Sequence, residues 1–212
     1  AHWDGIDQQI TAWLTQESAG PALLCLDAPL GWPRPLGEAL AGHQAGQGLP
    51  LAADRLFSRI TDLDIARRLG KRPMEVGANT IARVALAAVN LLDRLRAGTG
   101  RHIPLAWAPG PLDETAAIEV YPAAALACRG LLRPGYKKTA ADRAAMLAAL
   151  EPQLPLAPQW QDACRRSEHL LDACLCCLAG SDFLQGLAPA PPPELWPVVR
   201  QEGWIWARDL PA

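Results

Sequence analysis

The strongest constraint in the sequence is the stretch from Ala22 to Pro33, A-L-L-C-L-D-A-P-L-G-W-P. Five consecutive apolar residues, Ala22 to Leu26, read as a strand covered on both faces by helices, and so as the central strand of an α/β sheet. Asp27 follows at once, and Pro29, Gly31 and Pro33 forbid any continuation of the strand. The strand therefore delivers one carboxylate to the C-terminal edge of the sheet, where α/β folds keep their chemistry.

The rest of the chain supplies the helices such a sheet needs. Ile6, Ile10, Trp13 and Leu14 share one face of a helix that Asp4 can cap. Leu30 to Pro50 reads as a long Gly- and Pro-rich loop with one helical turn near Glu38 to Ala41. Thr61 opens a helix with Asp64 three residues on, and Gly70 ends it. The longest helical stripe runs from about Ala78 to Ala97.

Ile103 to Trp107 is a short edge strand, since Pro104 excludes a central one, and Ala116 to Tyr121 is a second strand. Thr139 with Asp142 caps a further helix, and Ser167 caps one that is apolar almost all round after Asp172. Pro189 to Pro193 is a stiff linker, and Glu202 to Ala207 is a last strand or packed extension. With 212 residues, a single domain spanning 1–212 is expected.

Composition narrows the function classes. A net charge of −2 gives no global attraction to polyanions, so nucleic acid has to be held by local basic patches. No run approaches the roughly 20 apolar residues of a membrane span. The six cysteines lack paired C-x-x-C knuckles with later partners, so they read as reduced thiols of a cytoplasmic protein.

Three acids lie in or beside apolar elements: Asp27, Glu119 and Asp172. Buried carboxylates are rare unless paired or bound to a cation, and oxygen-rich clusters suit Mg²⁺ or Mn²⁺. Each also has a plainer reading. Asp27 can cap the turn after it, Glu119 can lie on a solvent face, and Asp172 can pair with Arg165 or Arg166. His169 shares a helical face with Asp172 and is either a general base or a solvated side chain.

Arg129, Arg133, Lys137 and Lys138 form a basic loop suited to phosphate or simply to water. Arg59, Thr61 and Asp62 mark a helix start that can take an anion or merely cap itself. Of the eight tryptophans, Trp32 is the one best placed to touch a ligand.

Several stretches taken together resemble one family. They are L-D-A-P-L-G at 26–31, R-I-T-D at 59–62, E-V-Y-P at 119–122, G-Y-K-K-T at 135–139, E-H-L-L-D-A at 168–173 and E-G-W-I-W at 202–206. Their order and spacing are similar to those of the domain of unknown function 429 family, described as predicted nucleases of RNase H-like fold. The resemblance implies a mixed sheet with helices on both faces. It places acidic metal ligands at Asp27, Glu119 and Asp172, and basic roles at Lys137 and Lys138.

RNase H-like domains begin with a three-strand meander. This chain starts at a helix leading into the fourth strand, so either it is a fragment or the family's N-terminal strands are missing here, and in either case the acid set is expected to be incomplete. The strand at Ala22 to Leu26 would then carry an unpaired edge, open to a second chain and to homo-oligomers.

The expected function is a metal-dependent nuclease or phosphodiesterase. Asp27, Glu119 and Asp172 would hold Mg²⁺ or Mn²⁺, Lys137 would assist catalysis, and Arg59, Asp62, Lys138 and Trp32 would contact substrate. The rivals are a non-catalytic binding protein on the same fold and an enzyme acting on a phosphorylated metabolite.

Overall fold

The computed structural model describes residues 5–17, 20–77 and 79–210. Helices dominate it. They are α1 (Ile6–Ala12, continued by a π-helical turn Trp13–Glu17), α2 (Arg34–Leu40), α3 (Ala53–Phe57), α4 (Ile60–Leu69) and α5 (Asn79–Thr99). In the second half come α6 (Pro122–Ala127), α7 (Ala140–Leu150), α8 (Pro158–Arg166), α9 (Glu168–Leu184) and α10 (Trp196–Glu202). The two strands are β1 (Leu23–Leu26) and β2 (Ala116–Glu119). They pair in parallel, from Leu23 opposite Ala116 to Leu26 opposite Glu119.

The centre of the sheet is β2, not β1 as the apolar run predicts. All four β2 residues are buried, whereas those of β1 are half-buried. The far side of β2 is covered by two single bridges. Ala106 N–H donates to the Ala117 carbonyl (2.9 Å) and Ala117 N–H to the Pro104 carbonyl (2.8 Å). Trp206 N–H donates to the Glu119 carbonyl (3.0 Å), which makes the tail an extra strand-like segment.

The β1 edge away from β2 has no strand beside it among the described residues. The mispredicted centre has a simple cause. Leu24 and Leu26 pack with Leu14, Leu92 and Leu95 on one face, while Leu23 and Cys25 pack against Ala179 and Phe183 on the other. A run of apolar residues reports covered faces and is silent about edges. Every described strand pair is parallel, so the mixed order implied by the resemblance is not present among these residues.

Helix signals hold where the caps are explicit. The Thr139 hydroxyl accepts from Asp142 N–H (3.1 Å), Asp142 answers Thr139 N–H (3.0 Å), and α7 follows. Ser167 accepts from Leu170 N–H at the start of α9. Gly70 ends α4 in the left-handed region at φ 63°. Thr61 is not the cap of α4. Its hydroxyl accepts from Ile205 N–H (2.8 Å) and ties α4 to the tail. Asp4, read as the cap of α1, lies outside the described residues.

Helices α3 and α10, of five and seven residues, are too short to show a periodic stripe, whereas α8 is amphipathic and begins at Pro158, directly behind a proline-broken stretch. Helix α9 lies against β1 at Gly180, where a Cβ would sit 2.4 Å from Cys25 Sγ, so only glycine permits that approach. All six cysteines are free thiols.

Candidate functional site

The parallel register brings the ends of both strands to one edge, with Asp27 one residue beyond the Leu26–Glu119 pair. Behind that edge lies a buried clasp around Arg59, which is 1 % exposed. Its guanidinium donates to both Glu119 oxygens (2.8 and 2.7 Å) and to both Asp62 oxygens (3.2 and 2.8 Å). It also reaches the Glu202 carbonyl at 3.2 Å. Leu30 N–H donates to Glu119 at 3.0 Å.

The Glu202 carboxylate, buried as well, accepts from Arg34 N–H and Ile60 N–H, both at 2.7 Å, at the first turns of α2 and α4. Gly31 lets the loop after β1 press on this knot, since a Cβ there would lie 2.6 Å from the Gln201 carbonyl oxygen. Burial disfavours the Arg59 charge, but Glu119 and then Asp62 outweigh it and raise its pKa. Burial pushes the Glu119 carboxyl up, and the paired guanidinium opposes that. Arg59, Asp62 and Glu119 thus spend their hydrogen-bonding capacity on one another and on the backbone around them.

In front of the clasp opens a cleft of about 800 Å³. Asp27 and Asp172 both line it, with Lys137, Tyr121 and Tyr136. The Tyr136 hydroxyl donates to Asp172 Oδ1 (3.1 Å), and the Lys137 ammonium pairs with the other oxygen. Asp27 has no hydrogen bond or ion pair with any described residue. Its pKa is pushed up to about 6, first by burial and then by the Asp172 charge, with Lys137 pulling the other way and Glu119 adding to the rise. Burial, then Asp27 and Asp172, push Tyr121 up to about 12. Burial and Asp172 likewise raise Tyr136. Both phenols therefore remain protonated donors near neutrality.

The three acids named from the sequence are split by this arrangement. Asp27 and Asp172 share the cleft, while Glu119 forms its floor with both oxygens engaged by Arg59. Among the described residues no three His, Cys, Asp or Glu side chains converge as a metal-binding group. The carboxylates on the cleft that could hold a hydrated Mg²⁺ or Mn²⁺ are Asp27, which is unpaired, and Asp172, whose two oxygens are taken by Tyr136 and Lys137.

The other expected residues scatter. Trp32 is 36 % exposed but does not line the cleft. Lys138 is exposed and lies along Gly135. The Arg129 side chain is 4 % exposed and holds Asp182 with two 2.8 Å bonds, so it leaves the basic loop's solvent face. His169 is exposed on α9 and does not reach the cleft. Asp172 pairs with Lys137 and not with Arg165, whose partner is Asp162.

Sequence reasoning missed Tyr121, Tyr136 and Glu202. Each lay inside a quoted motif, as the Tyr of E-V-Y-P, the Tyr of G-Y-K-K and the first residue of E-G-W-I-W.

The family model DUF429, described as a protein of unknown function, matches residues 5–195. The chain belongs to the DUF429 family. No curated protein and no solved structure matches it. The match runs through all but the last of the DUF429-like motifs, E-G-W-I-W, whose Glu202 closes the clasp from beyond the matched span. No helix among the described residues is long and apolar enough to cross a membrane.

Proposed function

We propose that this DUF429 chain is a metal-dependent phosphodiesterase acting on nucleic acid, on an RNase H-like α/β scaffold. The observation that carries the reading is Asp27, an unpartnered carboxylate sharing a cleft with Asp172 at the C-terminal edge of a parallel strand pair. Two acids lining one cleft, one of them without a partner, make a place where a divalent cation could be held, and the Asp172 charge adds to burial in raising the Asp27 pKa. A bound Mg²⁺ or Mn²⁺ would supply an activated water and charge neutralisation at phosphorus.

The chain's own groups do the rest. Asp27 and Asp172 would hold the cation, and Tyr136 fixes the Asp172 carboxylate by its hydroxyl bond. Lys137, paired with Asp172 at the cleft, would be the donor to a phosphate oxygen. Glu119 stays with Arg59 as the rigid floor. The parallel pair covered by α9 on one face and by α1 and α5 on the other supports the RNase H-like assignment.

The test is Mn²⁺-dependent cleavage of single-stranded, duplex and branched DNA and RNA by the wild type, Asp27→Asn and Asp172→Asn. Cleavage lost in both variants is the expected result, and equal cleavage by either removes the reading. One observation favours a second reading, a binding protein without hydrolysis. Lys137 and Tyr136 already engage both oxygens of Asp172. Nucleic-acid binding without Mn²⁺ uptake, measured by titration calorimetry, would select it.

A further inference from the structure

The cleft has a second half that the acids do not use. Met74, Ile81, Val84 and Leu132 line it, and Met74 is 65 % exposed, more than any other large apolar side chain described. Leu132 also packs on the core, but Met74 stands open to water, and apolar side chains exposed along a cleft are the usual lining of a ligand site. Methionine in particular adapts to flat or irregular ligands.

Two cations, Lys71 and Arg133, line the same cleft. Neither side chain has a hydrogen bond or ion pair with a described residue, in contrast to Arg59 and Lys137, which are both paired. The rings of Tyr121 and Tyr136 line the cleft together with Asp27 and Asp172.

We propose that this half of the cleft is a subsite for an unstacked nucleobase and its flanking phosphates, so that the substrate class is single-stranded nucleic acid. The placement rests on the phosphodiesterase reading of the acidic half. Three features select a single strand over a duplex. The cleft's volume of about 800 Å³ is that of a small-ligand site, with room for a few nucleotides of chain and not for a double helix. A duplex keeps its bases inside and would leave the apolar wall wet. A single strand can lay a base on Met74 and the tyrosine rings while its phosphates reach Lys71 and Arg133. This combination of stacking surface and unpaired cations is sequence-tolerant, so little base preference is expected.

The experiment is fluorescence anisotropy with a labelled oligothymidine, the same strand annealed to its complement, and a labelled oligoadenosine, all in EDTA so that no metal-dependent step contributes. The single strands are expected to bind at least about tenfold more tightly than the duplex, from loss of base access to the wall. Lys71→Ala and Arg133→Ala should each weaken binding and flatten its dependence on salt by about one unit of log–log slope. Met74→Ser should weaken binding several-fold with the salt slope unchanged, a split that a general loss of structure would not give.

Arg165→Ala, at an exposed arginine outside the cleft that pairs with Asp162, should leave binding intact. No binding of the single strands, equal affinity for the duplex, or an Arg165→Ala loss matching that of Lys71→Ala would overturn the proposal. Single-strand binding in EDTA without any Mn²⁺-dependent cleavage would uphold it while removing the hydrolytic reading.

Discussion

Glu119 at the end of β2 and Asp27 just past the end of β1 stand at the same edge of the sheet, yet their surroundings differ completely. Glu119 is buried and takes two bonds from Arg59 and one from Leu30 N–H. Asp27 faces a cleft with no partner and the charge of Asp172 nearby. The difference follows from position in the sheet. β2 is central, so its end is roofed by the tail and by α4, and a carboxylate there survives only with a cation supplied from within. β1 is at the edge, and the cleft beyond it leaves an acid open to solvent and to ligands. The acids around Arg59 tie α4, β2 and the tail together, whereas Asp27 is left unpaired on the cleft.

The sharpest way to break this contrast is to remove the clasp's cation. Arg59→Ala leaves Glu119 and Asp62 buried without their partner and should cost about 3–5 kcal/mol of unfolding free energy by urea denaturation. A loss under about 1 kcal/mol would mean that water replaces the guanidinium and that the clasp is not structural.

Glu202→Gln comes next. It keeps the shape but turns one accepting oxygen into an NH2 donor, so one of the two bonds to the starts of α2 and α4 is lost and the other loses its charge, for an expected loss of about 1–3 kcal/mol. Asp27→Asn should do the opposite. An acid whose folded pKa is raised to about 6 from an ordinary 3.8 destabilises the fold once ionised. That penalty is absent below about pH 4, grows as pH rises through this window, and is complete above about pH 6. The variant should therefore match the wild type below pH 4 and melt higher above pH 6. A variant that melts lower at pH 7 would show that Asp27 has a stabilising partner in the folded state.

Much of this was legible in the residues, and the failures have physical causes. The capping pairs Thr139–Asp142 and Ser167–Leu170 are local, so sequence spacing states them directly. Asp27 and Asp172 could be singled out because an acid beside an apolar run needs an explanation. What spacing could not state was who supplies it. Arg59 is 60 residues from Glu119, and Glu202 is 142 from Ile60, so the clasp exists only in three dimensions. The same limit hid the place of β1. Its side chains announce two covered faces, but only the positions of Leu105 and Ile205 show that β2 is the strand flanked on both sides. The cleft's apolar half was invisible for a related reason. Met74 sits between helices with no periodic pattern, and nothing local distinguishes an open methionine from a packed one.

The smallest expected effect sharpens the contrast most finely. Lys137 neutralises Asp172 as Arg59 neutralises Glu119, but it is 35 % exposed against 1 % for Arg59. Lys137→Met should change stability by no more than about 1 kcal/mol, because water can solvate the carboxylate it leaves behind. Its effect should appear in titration instead. Lys137 lowers the Asp27 pKa, so removing the ammonium should carry Asp27 further above its value of about 6, readable by carboxyl carbon NMR. If Lys137→Met destabilises the protein as much as Arg59→Ala, the two ion pairs serve the same purpose and the cleft belongs to the scaffold. If the Asp27 titration moves while stability holds, charge in the cleft is tuned separately from charge in the clasp, as a site that exchanges an ammonium for another cation requires.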